Sequence, residues 1–153
     1  MVIAVDFDGT LVSQDRDYND LTTPLELLPH AKEALQSFKR AGHLIVLFSA
    51  RASRALLEDP ELDPLVRAGK KKLNRGAWEK QKDLHRARYQ QMVDFVESNL
   101  KQEIDAIDDG KQGKPQAGIF IDDRALRYGS TMGGHTWNWF IDRYGMQESE
   151  DAK

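Results

Sequence analysis

Apolar and polar positions alternate along this chain in runs of two kinds. Val2 to Phe7 (VIAVDF) is short, β-branched and almost unbroken, and Gly9 and Thr10 end it; this is the pattern of a strand covered on both faces. Pro29 then introduces Ala31, Ala34, Leu35 and Phe38 at helical spacing, with Gly42 as a stop. Leu44 to Phe48 (LIVLF) repeats the first pattern and predicts a second buried strand. Strand, helix and strand with short connections make a βαβ unit in a parallel sheet. Met92, Val93, Val96 and Leu100 predict a further helix, Ile104 to Ile107 a short third strand, and Gly118 to Ile121 a fourth, after the turn-rich stretch 108–115. Thr136 is placed to cap a last helix that would bury Trp137, Phe140, Ile141 and Tyr144. The fold class is α/β.

Length and composition narrow the picture. A chain of 153 residues has room for one ordinary domain, read here as 1–146 with an insertion at 52–81 and a polar, frayed tail at 147–153. Its net charge of −3 gives no general attraction to nucleic acid or anionic membrane. The absence of Cys removes disulfides, zinc thiolates, iron–sulfur clusters and thiol nucleophiles together. No basic leader precedes an apolar stretch, and no apolar run approaches the 18 or so residues that cross a bilayer. The expectation is a cytoplasmic protein with no membrane partner. P-loop and dinucleotide-binding glycine motifs are absent, so kinase and dehydrogenase readings have no support.

The chemistry sits at strand ends. Asp6 and Asp8 finish the first strand, Ser49 closes the second, and Asp122 and Asp123 close the fourth. In open parallel sheets the ligand crevice lies outside these carboxyl ends, so residues far apart in sequence are candidates for one site. Asp6 and Asp8 are two apart, which in an extended segment puts both side chains on one side. Four acids so close repel one another unless protons or a cation compensate, and Mg²⁺ held by oxygen ligands is the simplest resolution. The bland alternative is that each Asp caps a turn.

VDFDGTLV resembles the D-x-D-G-T signature of the haloacid-dehalogenase-like (HAD) phosphohydrolases, and LIVLFSAR, with Ser49 after its strand, resembles their second motif. Lys114, followed by a strand and IDDRA, is similar to the third and fourth motifs. The pieces run in the expected order from Val2 to Ala125, and their compact arrangement looks like that of small capless members. The resemblance implies a Rossmann-like three-layer α/β/α fold with a mainly parallel central sheet. It implies that Asp6 is the nucleophile and Asp8 the general acid and base of a phosphatase working through an aspartyl phosphate. Ser49 and Lys114 would bind the substrate phosphate. Asp122 would ligate Mg²⁺ together with Asp6 and the main-chain carbonyl of Asp8, with Asp123 either ligating or orienting. Lys111 competes with Lys114 for its role. Arg51 and Arg124 read equally as phosphate contacts or as partners of surface acids.

Leu11 to Thr23 reads as a flap, and no room is left for a cap domain, so the site is expected to be open. Within the insertion, Arg67, Lys70, Lys71, Lys72, Arg75, Lys80 and Lys82 stand against Glu79 alone, with Trp78 and Asn74 among them. Such a run can hold a phosphate backbone and stack a base, or it can be a solvated helix face with Trp78 on the core. Substrate candidates are therefore a phosphorylated small molecule, a nucleotide or a phosphorylated nucleic-acid end; a homo-oligomer stays open. His30, His43, His85 and His135 lack ligand spacing and read as surface or packing residues. Two other readings compete: a receiver-like phospho-acceptor domain, which turnover would exclude, and a metal-dependent nuclease, which would cut internal phosphodiesters.

Overall fold

The computed structural model describes residues 1–125 and 134–145. It divides into two compact units, Met1–Asp123 and the chain from Arg124 onward.

In the first unit the two apolar runs are strands, β1 (Val2–Asp6) and β2 (Leu44–Phe48), paired in parallel with Val2 opposite Leu44 and Asp6 opposite Phe48. Helix α1 (Ala31–Arg40) connects them, with Glu33 in its first turn and Lys39 and Arg40 in its last, each charge opposing the helix dipole. Gly42 ends it with φ of 88°; its amide bonds to Lys39 O and that of His43 to Phe38 O. This left-handed turn is the one that glycine makes without steric cost.

Four short helical pieces follow β2. They are single 3₁₀ turns at Ala50–Ala52 and Pro60–Leu62 and the helices α2 (Arg54–Leu57) and α3 (Pro64–Arg67). Helix α4 then runs from Arg75 to Asn99, capped by the Asn74 side chain, which accepts from the Ala77 amide at 3.0 Å. The apolar spacing predicts only its last third. Its first turns are tied to α2 by polar groups instead: the Trp78 indole donates to Leu56 O and the Arg86 Nε to Leu57 O. Residues 75–81, read as insertion, belong to this helix.

β3 is only Ala106–Ile107, beside β2, and β4 (Ile119–Ile121) lies on the other side of β1. β3 is shorter than the expected 104–107 because Ile104 closes a turn onto Leu100 O, while the Asp105 carboxylate takes the Ile45 amide and the Lys39 ammonium, each at 2.7 Å. The sheet is four-stranded and all parallel, in the order β3-β2-β1-β4. Ile3, Val5 and Phe7 from β1 and its exit, with Ile45 and Leu47 from β2, are buried against Leu35 of α1 and Met92 and Val96 of α4. One face of the sheet thus carries the main core. The order places a topological switch at β1, from which the chain leaves to β2 on one side and to which it returns through β4 on the other.

The second unit contains α5 (Trp137–Tyr144), whose Thr136 cap accepts from the Trp139 amide. The helix forms where the sequence predicts it, but Trp137, Ile141 and Tyr144 are exposed rather than buried. Within it the His135 ring stacks on Trp139 at 3.7 Å, and Trp139 meets Phe140 edge to face. The segment 147–153 lies outside the described residues.

Candidate active site

Asp6 is the last residue of β1, and Asp122 and Asp123 follow β4 directly. The parallel pairing of the two strands brings all three carboxyl groups to the switch point, where one oxygen of each lies within 4.8 Å of the others. The group is half-buried at Asp6 and Asp122 and exposed at Asp123. Burial pushes the Asp6 carboxyl up to about 7; a hydrogen bond with Asp123 and the charges of Asp122 and Asp123 add to the rise, against a backbone hydrogen bond at Phe7 that lowers it. Oxygen donors carrying an excess of negative charge suit a hard divalent cation.

Beyond Asp6 the extended backbone stops, because Phe7 O gathers the amides of Thr10, Leu11 and Val12, and the Gly9 amide bonds to Val12 O. Gly9 has φ of 77°, and a Cβ there would collide with the Asp123 carboxylate and crowd Gln14. The loop after β1 therefore requires glycine for backbone conformation and for space at once. The bend also corrects the expectation that Asp6 and Asp8 lie on one side of an extended segment. Asp8 turns its carboxylate to Arg51, which donates from Nε and Nη2 to its two oxygens, each at 2.8 Å. Both Asp8 carboxylate oxygens are thus engaged by Arg51, and its main-chain carbonyl is the atom the resemblance assigns to a metal.

Arg51 itself is buried, at 5% exposure. Its remaining nitrogen, Nη1, donates to Arg88 O at 2.9 Å and to Gln91 Oε1 at 2.8 Å, both on α4, and its guanidinium lies 5.2 Å from the centre of the Phe7 ring. Its acid partner is Asp8, at the end of the β1 exit, rather than an acid of the open surface. Gln91 and Arg88 had no signal in the sequence: polar residues on a long helix look like solvated positions until the fold turns them inward.

Ser49 follows β2 directly and its hydroxyl accepts from the Arg51 amide at 3.1 Å, so the residue that caps the following turn also sets the start of the Arg51 segment. Lys114 is exposed, with its ammonium 4.2 Å from the centre of the Phe120 ring, and Phe120 packs edge to face on Phe48. Lys111 is exposed and its amide closes a turn on Asp109. Gly110 approaches the Ala52 carbonyl too closely for a side chain, which holds the β3–β4 loop against the segment that carries Arg51.

The flap is tied down. Tyr18 reaches α4, with its hydroxyl 2.6 Å from His85 Nδ1 and its ring 3.9 Å from the Arg88 guanidinium, which also donates to Tyr18 O. Leu11 and Val12, read as the start of the flap, are core residues. In the basic run, Lys71 pairs with Asp63, Arg75 with Asp59 and Glu61, and Lys82 with Glu79. The histidines match their reading as surface or packing residues: His30 is exposed, His43 meets the N-terminal amine, His85 is buried beside Tyr18, and His135 stacks on Trp139. Comparisons of the chain with protein-family models, with curated proteins and with solved structures find no match.

Proposed function

We propose that the chain is a phosphomonoester hydrolase that uses Asp6 as a nucleophile and forms an aspartyl phosphate. The observation that carries this reading is the convergence of Asp6, Asp122 and Asp123 at the carboxyl ends of β1 and β4. A carboxylate at that position can attack phosphorus and split one difficult displacement into two easier ones. In this reading the sheet belongs to a Rossmann-like three-layer domain of the HAD type. Asp6, Asp122 and Asp123 would hold the divalent cation, Mg²⁺, which when bound would neutralise charge on the phosphoryl oxygens. Burial raises the Asp6 carboxyl most and the neighbouring Asp123 and Asp122 add to it, and this cost of holding three carboxyls together is the property that fits them to a cation. Ser49 and Lys114 would orient the phosphate. Asp8 would give a proton to the leaving oxygen and later take one from water. Substrates are phosphorylated small molecules or nucleotides, with phosphorylated nucleic-acid ends as the larger option.

A panel of phosphomonoesters, with 5′- and 3′-phosphorylated oligonucleotides and an unphosphorylated duplex, tests this reading. The expected result is release of inorganic phosphate in Mg²⁺, loss of release in excess chelator, and none from Asp6→Asn, which keeps its fold. Stable phosphorylation without turnover would favour a receiver-like acceptor. Cleavage within the duplex would favour a nuclease.

A further inference from the structure

Arg51 is the most completely enclosed charge near the carboxylates, with its side chain 2% exposed and four hydrogen bonds in place: two to Asp8, one to Arg88 O and one to Gln91. A guanidinium has five N–H groups in a rigid fork. With four of the five in use, a two-pronged grip on a substrate phosphate would cost a bond to Asp8 or to α4. Nor is it a surface ion pair, because both α4 acceptors and the Phe7 ring surround it. One nitrogen is thus held by α4, and the other two hold Asp8.

We propose that Arg51 is a positioning residue for proton transfer: it holds the Asp8 carboxyl group by its two-pronged pair and passes the rigidity of α4 to it through Arg88 O and Gln91. The inference rests on the phosphomonoesterase reading. In the first step an Asp6 oxygen bonds to phosphorus, the bond from phosphorus to the leaving oxygen breaks with its electron pair remaining on that oxygen, and the Asp8 proton moves to it. Asp8 then has two carboxylate oxygens, the form that the fork of Arg51 binds with both prongs. In the second step water bonds to phosphorus, its proton goes to Asp8, and the Asp6 oxygen leaves with its electron pair as a carboxylate. At each proton transfer one Asp8 oxygen faces the reacting atoms while the other keeps its bond to Arg51.

Arg51→Lys tests this, because lysine keeps the charge and loses the fork. Two substrates separate the roles: an alkyl phosphate, whose leaving oxygen needs a proton, and 4-nitrophenyl phosphate, whose leaving group departs without one. The expected result is a fall in kcat/KM, which covers the steps up to the aspartyl phosphate, of about 30-fold or more for the alkyl ester and of about 3-fold or less for the aryl ester, with no rise in KM for either. Gln91→Leu, which leaves the Asp8 pair but removes one rear anchor, should show the same preference at smaller size, and it supplies the test if Arg51→Lys does not fold. A rise in KM for both esters would overturn the proposal and make Arg51 a phosphate ligand. An equal loss of kcat/KM for both esters, in parallel with a lowered Tm, would overturn it and leave Arg51 structural. A wild-type chain inert to both esters fails differently, since it removes the phosphomonoesterase reading and this inference with it.

Discussion

Asp6 occupies the position where strand geometry and charge conflict most. It ends a parallel strand, half-buried, beside Asp122 and Asp123, and its carboxyl rises to about 7, with burial the largest cause. A carboxyl whose folded value lies above its unfolded value contributes stability that is complete below the ordinary Asp range, about 3.9, and is lost as pH rises through the folded value. The metal-free protein should therefore lose stability through this residue between about pH 4 and pH 7. Asn at this position keeps the shape without the charge. Unfolding in urea with chelator present should find Asp6→Asn close to wild type near pH 4 and more stable than wild type at pH 8. Added Mg²⁺ should raise wild-type Tm at pH 8 and do so less for the variant. A gap between the two proteins that is flat with pH would remove the charge conflict at Asp6.

At the scale of elements, α4 does the work that no single motif describes. Its C-terminal part fills the core with Met92 and Val96, while its middle receives Arg51 at Arg88 and Gln91 and the flap at His85 and Arg88. One helix thus registers the loop after β2 and the loop after β1 to the same sheet. Burial holds the His85 imidazole below the usual histidine range, and the nearby Arg88 charge lowers it further. A histidine so depressed contributes stability that is present above its unfolded value, about 6.5, and is lost as pH falls through the folded value. Tyr18 faces the ring on its Nδ1 side and Arg88 flanks both residues. Tyr18→Phe should cost about 1 kcal/mol at pH 8, the net worth of one hydrogen bond. His85→Asn should flatten the decline in stability between about pH 7 and pH 5 relative to wild type. Urea midpoints across pH check both, and an unchanged slope in His85→Asn would show that the flap contact does not titrate.

For the whole molecule, the charge distribution is less polarised than the basic run suggests. Acids from the turns and helix ends at 59–63 and from α4 itself pair with three of its cations. Trp78 spends its indole N–H on Leu56 O and lies 5.8 Å from the Lys82 ammonium, arrangements of a packed helix face. Exposed pairs are weak singly but lower the local field that a polyanion would meet. Changing Lys70, Lys72 and Lys80 together to Ala should therefore leave KM for a nucleotide unchanged within about 2-fold at about 0.15 M salt, where the Debye length is about 8 Å. Fluorescence anisotropy with a 5′-phosphorylated oligonucleotide should likewise show equal binding by both proteins. A KM increase of about 10-fold with lost salt dependence would restore the segment as a polyanion contact.

Much of this protein was determined by local pattern. The runs VIAVDF and LIVLF were legible as parallel strands, although Leu44 is exposed and β2 is buried on alternate residues rather than throughout, and Gly42 and Thr136 were legible as a helix end and a helix start, because left-handed turns and helix caps are decided within a few residues. The acids at strand ends were legible for the same reason, since a parallel sheet delivers its carboxyl ends to one edge. The long reach of α4, the brevity of β3 and the exposed face of α5 were not legible. Polar anchors such as Trp78 to Leu56 O and the Ile45 amide to Asp105 decide the first two, and their partners are 22 and 60 residues away. The division of labour between the first two acids was equally hidden. Sequence puts Asp6 and Asp8 two residues apart, but only the bend at Phe7 and the enclosure of Arg51 by α4 send one carboxyl to Asp122 and Asp123 and the other to a guanidinium. Spacing along a chain determines which side chains can share an edge, whereas charge pairing across the core depends on which distant groups the packed helices leave within hydrogen-bond reach.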